Sequence, residues 1–265
     1  MIPPELEQKL KHLRLSGMAG VFPVRLQQAV SGRLSHQEFF ELLVEDELCR
    51  RRDRLLERRL RQARFPEAKR LEDFAFDFNP TINRAQIFDL ATARFIAERR
   101  GWLVIGQTGV GKSHLIIGVG MRAVEAGHKA IYKSAFDLLE DLAEAAATGQ
   151  RRSCIAELTR VPLLIIEDLG LRKVPPSAAE DLLEILHRRY QKTSTVISSN
   201  RPLEDWGAML GGDSAAISAL LDRFLHSCEL TLIRGKSYRL YERQQRQKKA
   251  ESTDGKASKA AGGKK

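Results

Sequence analysis

The 265 residues are 43% hydrophobic and 29% charged, with a formal net charge of +10. A chain of this length and balance can bury a full core, which excludes both a disordered protein and a disulfide-stapled miniature. Cys49, Cys154 and Cys228 are too few and too scattered for a metal knuckle or a disulfide framework, and they point to a reducing compartment. No apolar run approaches the roughly 20 residues that span a bilayer, and no signal-peptide apolar core follows Met1, so a soluble cytoplasmic protein with no membrane role is expected.

The charge is concentrated. Arg50, Arg51, Arg52, Arg54, Arg58, Arg59, Arg61 and Arg64 face only Asp53 and Glu57 within fifteen residues. Among the last twenty residues, seven lysines and arginines face Glu251 and Asp254. The remainder of the chain is close to neutral, so two basic segments need explaining.

Residues 1–70 are predicted helical. Leu6, Leu10 and Leu13 recur at helical spacing, and from about Ser35 a looser stripe runs through Phe40, Leu43, Leu48, Leu55, Leu56 and Leu60. Ser35 and Glu38 form a capping box ahead of that second stripe. The arginines lie along its second half. They read equally as a solvated, salt-bridged face or as a surface that meets nucleic-acid phosphates, since eight guanidiniums exceed what two acids neutralise.

Between Leu71 and Ile82, Phe74, Phe76 and Phe78 alternate with Ala75 and Asp77 before Pro80 interrupts. Alternation at period two predicts an extended strap laying three rings on one surface, either as core packing or as one wall of a nucleotide-base site. A helix over Arg84–Arg99 then leads into the apolar run Trp102–Ile105.

Gly106-Gln107-Thr108-Gly109-Val110-Gly111-Lys112-Ser113 follows that run and opens an apolar-rich helix, giving strand, loop and helix in the order of a phosphate-binding loop. Glycines let backbone N–H groups approach a triphosphate, Lys112 reaches its β- and γ-phosphates, and the Ser113 hydroxyl ligates Mg²⁺. The helix runs from Lys112 to Ala126 and stops at Gly127. A strand over Ala130–Lys133, helices over Ala135–Ala147 and Ser153–Thr159, and a buried strand over Leu163–Ile166 follow.

That buried strand ends in Glu167-Asp168. One carboxylate at a strand end suits the Mg²⁺ shell and its neighbour suits orientation of an attacking water. Because a further strand intervenes between the two motifs, the order points to the additional-strand ATPases, and no Asn-Lys-x-Asp run supports guanine specificity. After a helix over Ser177–Tyr190, the strand Thr195–Ser199 ends at Asn200, which reads as a turn former beside Pro202 or as a polar group over the same crevice. A helix over Ser214–Leu225 carries Asp222-Arg223, either surface decoration or an arginine presented to a neighbouring subunit's γ-phosphate. Short strands over Glu229–Ile233 and Ser237–Tyr241 are predicted to close a hairpin around Gly235, with Arg239 a second arginine candidate within its own chain. Beyond Gln244 the apolar pattern ends in a basic tail expected to be disordered.

Taken together these residues resemble the IstB-type transposition helper ATPases of bacterial insertion sequences, grouped with the DnaC helicase loaders and DnaA initiators in the AAA+ class. The resemblance rests on Gly106 to Leu115, including His114, on Leu163–Gly170, Ser198-Ser199-Asn200, Leu220–His226 and Arg234–Arg239. It implies an α/β AAA+ P-loop NTPase fold, an additional-strand parallel sheet flanked by helices and preceded by an all-helical N-terminal region. The expected divisions are a helical DNA- or partner-binding region over 1–70, a strap and helix over 71–100, the ATPase domain over 101–243 and the tail over 244–265. It further implies ATP and Mg²⁺ as ligands, homo-oligomers with composite ATP sites assembled on double-stranded DNA, and a cognate transposase as partner in a bacterial cytoplasm. By motif position Lys112 and Ser113 take the phosphate and Mg²⁺ roles, Asn200 the sensor 1 role, Arg223 the trans arginine finger and Arg239 the sensor 2 role.

One departure stands out. The family pattern has Asp then Glu, whereas this chain has Glu167 then Asp168, so register gives Glu167 the metal role and Asp168 the base role. A base one methylene shorter sits about 1 Å further from the water, a misplacement worth on the order of 100-fold in rate. Hydrolysis is therefore expected to be slow, and Asp168→Glu to raise it. Two other readings stay open at this point: a DnaC-like helicase loader, and a nucleotide-gated binding module with negligible hydrolysis. A small-molecule kinase is a distant third.

Overall fold

Helical periodicity, then a regular alternation of apolar strands with amphipathic helices, divides the chain into two compact units, Met1–Arg61 and Gln62–Lys265. The computed structural model describes residues 2–170, 176–210 and 215–247.

The first unit contains α1 (Pro4–His12), α2 (Ser16–Gly32) and most of α3 (His36–Ala63). The turn between α2 and α3 is set locally. Arg33 adopts a left-handed conformation (φ 50°), and the predicted capping box forms, with Ser35 N donating to Glu38 Oε2 (2.7 Å) and Glu38 N to Ser35 Oγ (3.3 Å). The pin between α2 and α3 is Glu47. Its Oε2 accepts the orphan amides of Gly17 (2.6 Å) and Met18 (3.2 Å) in the first turn of α2, while Oε1 takes Arg51 Nε (2.8 Å). Burial pushes the Glu47 carboxyl up, but Arg51 and the two amides outweigh it and hold the group below the usual carboxylate range.

In the second unit, two 3₁₀ turns (Leu71–Asp73 and Phe76–Phe78) precede α4 (Arg84–Ala91) and α5 (Arg94–Ala97). Then come β1 (Gly101–Gly106), α6 (Lys112–Glu125), β2 (Ala130–Ser134), α7 (Ala135–Ala147), α8 (Arg151–Arg160), β3 (Leu163–Leu169), α9 (Pro176–Arg189) and β4 (Ser194–Ser199). After a 3₁₀ turn at Leu203–Asp205 follow α10 (Trp206–Met209), α11 (Ala215–His226) and β5 (Cys228–Ile233). A last helix, α12, covers 238–247. The sheet order is β2-β3-β4-β1-β5 and every pairing is parallel. The strand standing in space between the phosphate-loop strand and the acidic strand is β4, whereas β2, which separates them in sequence, lies at the edge.

Strand alternation divides the core into two layers. Leu103, Leu164, Ile166 and Ile197 pack with Leu138, Leu142, Leu158, Leu182 and Trp206. On the opposite face Ile165 meets α6 at Gly120, where a Cβ would stand 2.7 Å from the Ile165 side chain. Each such fully buried aliphatic side chain contributes roughly 1.5–3 kcal/mol. At the N-terminal ends of β3 and β4 a buried guanidinium, Arg189, donates to the carbonyls of Leu158 (2.6 Å), Val161 (2.9 Å) and Ser194 and to Thr195 Oγ1 (2.8 Å). These bonds satisfy it without a carboxylate partner.

Three expectations are corrected. The strap is not extended: Phe74 N donates to Leu71 O (3.2 Å) and Phe78 N to Ala75 O (3.1 Å), and its rings do not share one surface, since Phe74 and Phe78 line the cleft described below while Phe76 packs edge-on to Phe74 and against Phe88. The Arg84–Arg99 helix is broken at Ala93 (φ 61°), because Thr92 turns its hydroxyl onto Asp89 O (2.7 Å) and caps the next turn instead of extending the first. The closing hairpin is absent. β5 runs parallel to β1, and Ser237 caps α12 by accepting the Leu240 amide (3.4 Å), so Tyr238 and Tyr241 are helical neighbours three apart, not strand residues. Of the tail expected to be disordered from Gln244, 244–247 is the end of α12, and 248–265 lies outside the described residues.

Candidate functional site

The loop between β1 and α6 bends at Gly109 (φ 84°) and Gly111 (φ 106°), a conformation that suits glycine alone. Gly111 also leaves no room for a side chain, since a Cβ would lie 2.6 Å from the Phe74 ring. Lys112, 5% exposed, folds its Nζ back onto the carbonyls of Gly106 (2.9 Å) and Gln107 (3.1 Å). Burial lowers its pKa, and Asp168 and Glu167 act in the opposite direction.

A cleft of about 390 Å³ opens beside this loop, lined by Thr108, Gly109, Val110, Gly111, Lys112, Ser113 and His114 together with Asp168 and Arg239. Glu67, Lys69, Asp73, Phe74, Ala75, Phe78 and Asn79 of the strap and Tyr238 and Glu242 of α12 complete it. The strap residues were legible in sequence only as an aromatic stripe. Asn79, which the sequence did not single out, is 2% exposed and donates from Nδ2 to Val110 O (2.9 Å), while its other amide atom lies against Gly235. Thr81 Oγ1 donates to Arg234 O (2.8 Å) and accepts from Arg234 N (3.2 Å), and Tyr238 N donates to Gly109 O (2.9 Å). Strap, phosphate loop and the start of α12 are thus tied in one hydrogen-bonded ring that presents Arg239 to the cleft. His114 Nε2 contacts Arg70 O at 2.7 Å, and its ring stands edge-on to Phe74.

Glu167 is 7% exposed, and one of its oxygens is buried without a hydrogen-bond partner. Burial raises its pKa, and the neighbouring Ser113 hydroxyl, Lys112 and Arg239 pull the other way. A buried orphan carboxylate oxygen beside the Ser113 hydroxyl is the kind of hard oxygen donor pair a divalent cation takes, so these two residues fit Mg²⁺. Among the described residues no group of three or more His, Cys, Asp or Glu is placed to hold a metal ion by itself. Asn200 follows β4 and is half-buried with Oδ1 unpartnered. It follows the C-terminal end of β4, as Glu167 lies near that of the neighbouring β3, but does not line the cleft. Arg223, on α11, is exposed, does not line the cleft and forms no ion pair among the described residues.

The arginines of α3 divide into two groups. Arg50 Nη1 donates to Ser16 O (2.9 Å), Arg51 to Glu47 and Arg14 O (3.3 Å), and Arg54 Nη1 to Ser16 Oγ (3.0 Å), so these three hold α3 to the start of α2. Arg52 approaches Glu45 at 3.9 Å, Arg59 is half-buried, and Arg58 and Arg61 are exposed with no partner among the described residues.

A parallel five-stranded sheet with the acidic strand separated from the phosphate-loop strand by β4 defines an AAA+ P-loop fold. The solved structures agree. The DnaC helicase loader superposes with a TM-score of 0.52 at 21% identity over 67% of this chain and 99% of that one, and DnaI with 0.54 at 18% over 63% and 91%. The chain belongs to the IstB-like ATP binding protein family, whose pattern matches residues 8–247. Its relatives include an ATP-binding protein of insertion sequence IS21 from Pseudomonas aeruginosa, 34% identical over 90% of both chains. Another, from insertion sequence IS5376 of Geobacillus stearothermophilus, is 30% identical over 89% of this chain and 94% of its own. No helix among the described residues is long and apolar enough to cross a membrane.

Proposed function

We propose that this insertion-sequence ATP-binding protein hydrolyses ATP slowly, assembles on double-stranded DNA with composite ATP sites, and assists a cognate transposase in choosing a target. The observation that carries the reading is the convergence of the phosphate loop, Asp168 and Arg239 on one cleft, with Glu167 buried beside Ser113 and Lys112.

In this reading the backbone amides of Gly109 to Ser113 cradle the phosphates, and Lys112 leaves the carbonyls of Gly106 and Gln107 for the β- and γ-phosphates. Ser113 and Glu167 would hold Mg²⁺, which would supply charge neutralisation to the phosphates when bound. Asp168 accepts a proton from water as its oxygen bonds to the γ-phosphorus and the bond to the ADP oxygen breaks. Asn200 orients that water, Arg239 stabilises the phosphates in cis, and Arg223 of a neighbouring copy does so in trans. Phe74, Phe78 and Asn79 bound the base end of the cleft. On α3, Arg52, Arg58 and Arg61 meet DNA phosphates without base readout.

The test is turnover and particle size of the purified chain, with and without duplex DNA, for wild type, Lys112→Ala and Arg223→Ala. DNA and ATP together are expected to build a large assembly, Lys112→Ala to lose nucleotide binding, and Arg223→Ala to bind nucleotide yet lose turnover. A protein that stays monomeric and indifferent to duplex DNA would overturn the reading.

A further inference from the structure

Two adjacent residues on a regular strand point to opposite faces, so Glu167 and Asp168 could not both serve one cleft from an undistorted β3. The ladder shows how the conflict is resolved. Leu163 to Ile166 pair in order with Ser194 to Ile197, and the next pairing is Leu169 with Ser199. Glu167 and Asp168 together therefore stand opposite the single residue Ser198, which is a bulge. Asp168 takes the left-handed conformation there (φ 55°), one that Asp tolerates better than longer side chains.

A bulge leaves ladder groups without partners, and here side chains of β4 supply them. Ser198, fully buried, accepts the Asp168 amide on its hydroxyl (3.0 Å). Ser199, equally buried, donates its hydroxyl to Leu169 O (2.6 Å) and accepts the Arg201 amide (3.0 Å), which rejoins the strands beyond the bulge. The outcome is that Glu167 lies buried beside Lys112 and Ser113 while Asp168 lines the cleft.

We infer that Ser198 is a positioning residue of this site: its hydroxyl holds the left-handed backbone at Asp168 and so aims both carboxylates at the phosphate loop. The inference rests on the ATPase reading for its catalytic consequence, whereas the hydrogen bond itself does not. Without the hydroxyl the half-buried Asp168 amide loses its partner, which favours relaxation of the bulge and misdirection of the acids.

The experiment compares Ser198→Ala, Ser198→Thr and Ser198→Val in the full chain. Thr and Val differ by the hydroxyl at nearly equal volume, so any steric effect of the larger side chain is common to both. Three quantities are read: hydrogen-exchange protection of the Asp168 amide without nucleotide, ATP affinity with Mg²⁺ and with chelator, and steady-state kcat and KM. Ala and Val are expected to lose the protection, to lower kcat about tenfold or more with KM little changed, and to narrow the Mg²⁺-dependent gain in ATP affinity. Affinity in chelator stays at the wild-type value, and Thr retains all three properties relative to Val. Equal behaviour of Thr and Val, or a protected Asp168 amide and wild-type kcat in Ser198→Ala, would overturn the inference. So would an equal loss of affinity with and without Mg²⁺, the mark of a merely structural residue. If wild type binds ATP without turning it over, hydrolysis fails as the function, and the exchange and Mg²⁺ readouts still decide the role of Ser198. If it binds no ATP, the functional reading fails outright, and amide protection alone decides whether Ser198 holds the bulge.

Discussion

At the scale of single residues, Glu167 is held where its own ionisation is unfavourable. Burial raises its pKa above the ordinary carboxylate value, and one oxygen has no partner. In strongly acidic solution the group is protonated in folded and unfolded chains alike, so it exacts no penalty. As pH rises through the ordinary range the unfolded chain releases its proton first, and the ligand-free fold loses stability until the folded-state pKa is passed. Glu167→Gln should therefore raise the melting temperature of the nucleotide-free protein at pH 7, by about 2–4 °C for each kcal/mol relieved, and leave it nearly unchanged at pH 4. Thermal melts at the two pH values check this; an unchanged or lower melting temperature at pH 7 would mean that the carboxylate is already satisfied. Asp168 shows a different tension. Lengthening it to Glu brings the base toward the water but places a longer side chain on a left-handed backbone, so Asp168→Glu should be read with a stability measurement beside the rate.

Among the elements, α2 is capped from α3 by one buried acid. Glu47 replaces a local N-cap for α2, whose own N-cap residue, Leu15, has no side-chain acceptor to offer. Glu47→Ala should destabilise the first unit by about 2 kcal/mol at neutral pH, leaving two amides and Arg51 Nε without their acceptor. Because its folded-state pKa is depressed, that contribution is present above the ordinary carboxylate range and is lost as pH falls through it. A helix-melting series from pH 7 to pH 3 on wild type and variant should show the difference closing, and a constant difference would refute the cap. The contact was not legible in sequence, because it joins residues 30 apart that share no local pattern. What was legible was local: the Ser35–Glu38 box, the phosphate loop, and the apolar β3 ending in two acids. The strap and α12 were misread for one reason. Phe74, Phe76 and Phe78 alternate at period two, and Ser237 to Tyr241 was read as a short strand around Gly235, yet each segment is too short for such a pattern to outweigh a nearby hydroxyl or turn. The rings are placed by what they meet: Phe74 by Gly111, Phe76 by Phe88, Phe78 by Tyr238 and Tyr241. The bulge at Asp168 was equally invisible, since nothing in Leu-Leu-Ile-Ile-Glu-Asp marks a change of register.

Across the whole molecule, charge and composite sites make separable claims. If α3 contacts DNA phosphates through its free arginines, Arg58→Ala with Arg61→Ala should lower the salt slope of duplex binding by about 2, close to one unit per lost phosphate contact, with thermal stability unchanged. Arg50, Arg51 and Arg54 hold α3 to the start of α2, so their alanine variants should lower stability before they alter the slope. A titration of binding against salt for both sets separates these roles, and a slope unmoved by the Arg58 and Arg61 changes would remove α3 as the DNA face. The exposed Arg223, which does not line the cleft of its own chain, makes the stronger demand. An arginine acting in trans predicts complementation. Lys112→Ala subunits keep Arg223 but hold no nucleotide, and Arg223→Ala subunits hold nucleotide but offer no finger. Each preparation alone should be inactive. Mixed in equal amounts with duplex DNA, they form junctions in which an intact phosphate loop faces an intact Arg223, and roughly a quarter of junctions in a random assembly have that arrangement. Turnover should return to a corresponding fraction of wild type and rise and fall with the mixing ratio. A mixture as inactive as its components would place Arg223 outside the site, and leave Arg239, already in the cleft, as the arginine that meets the γ-phosphate.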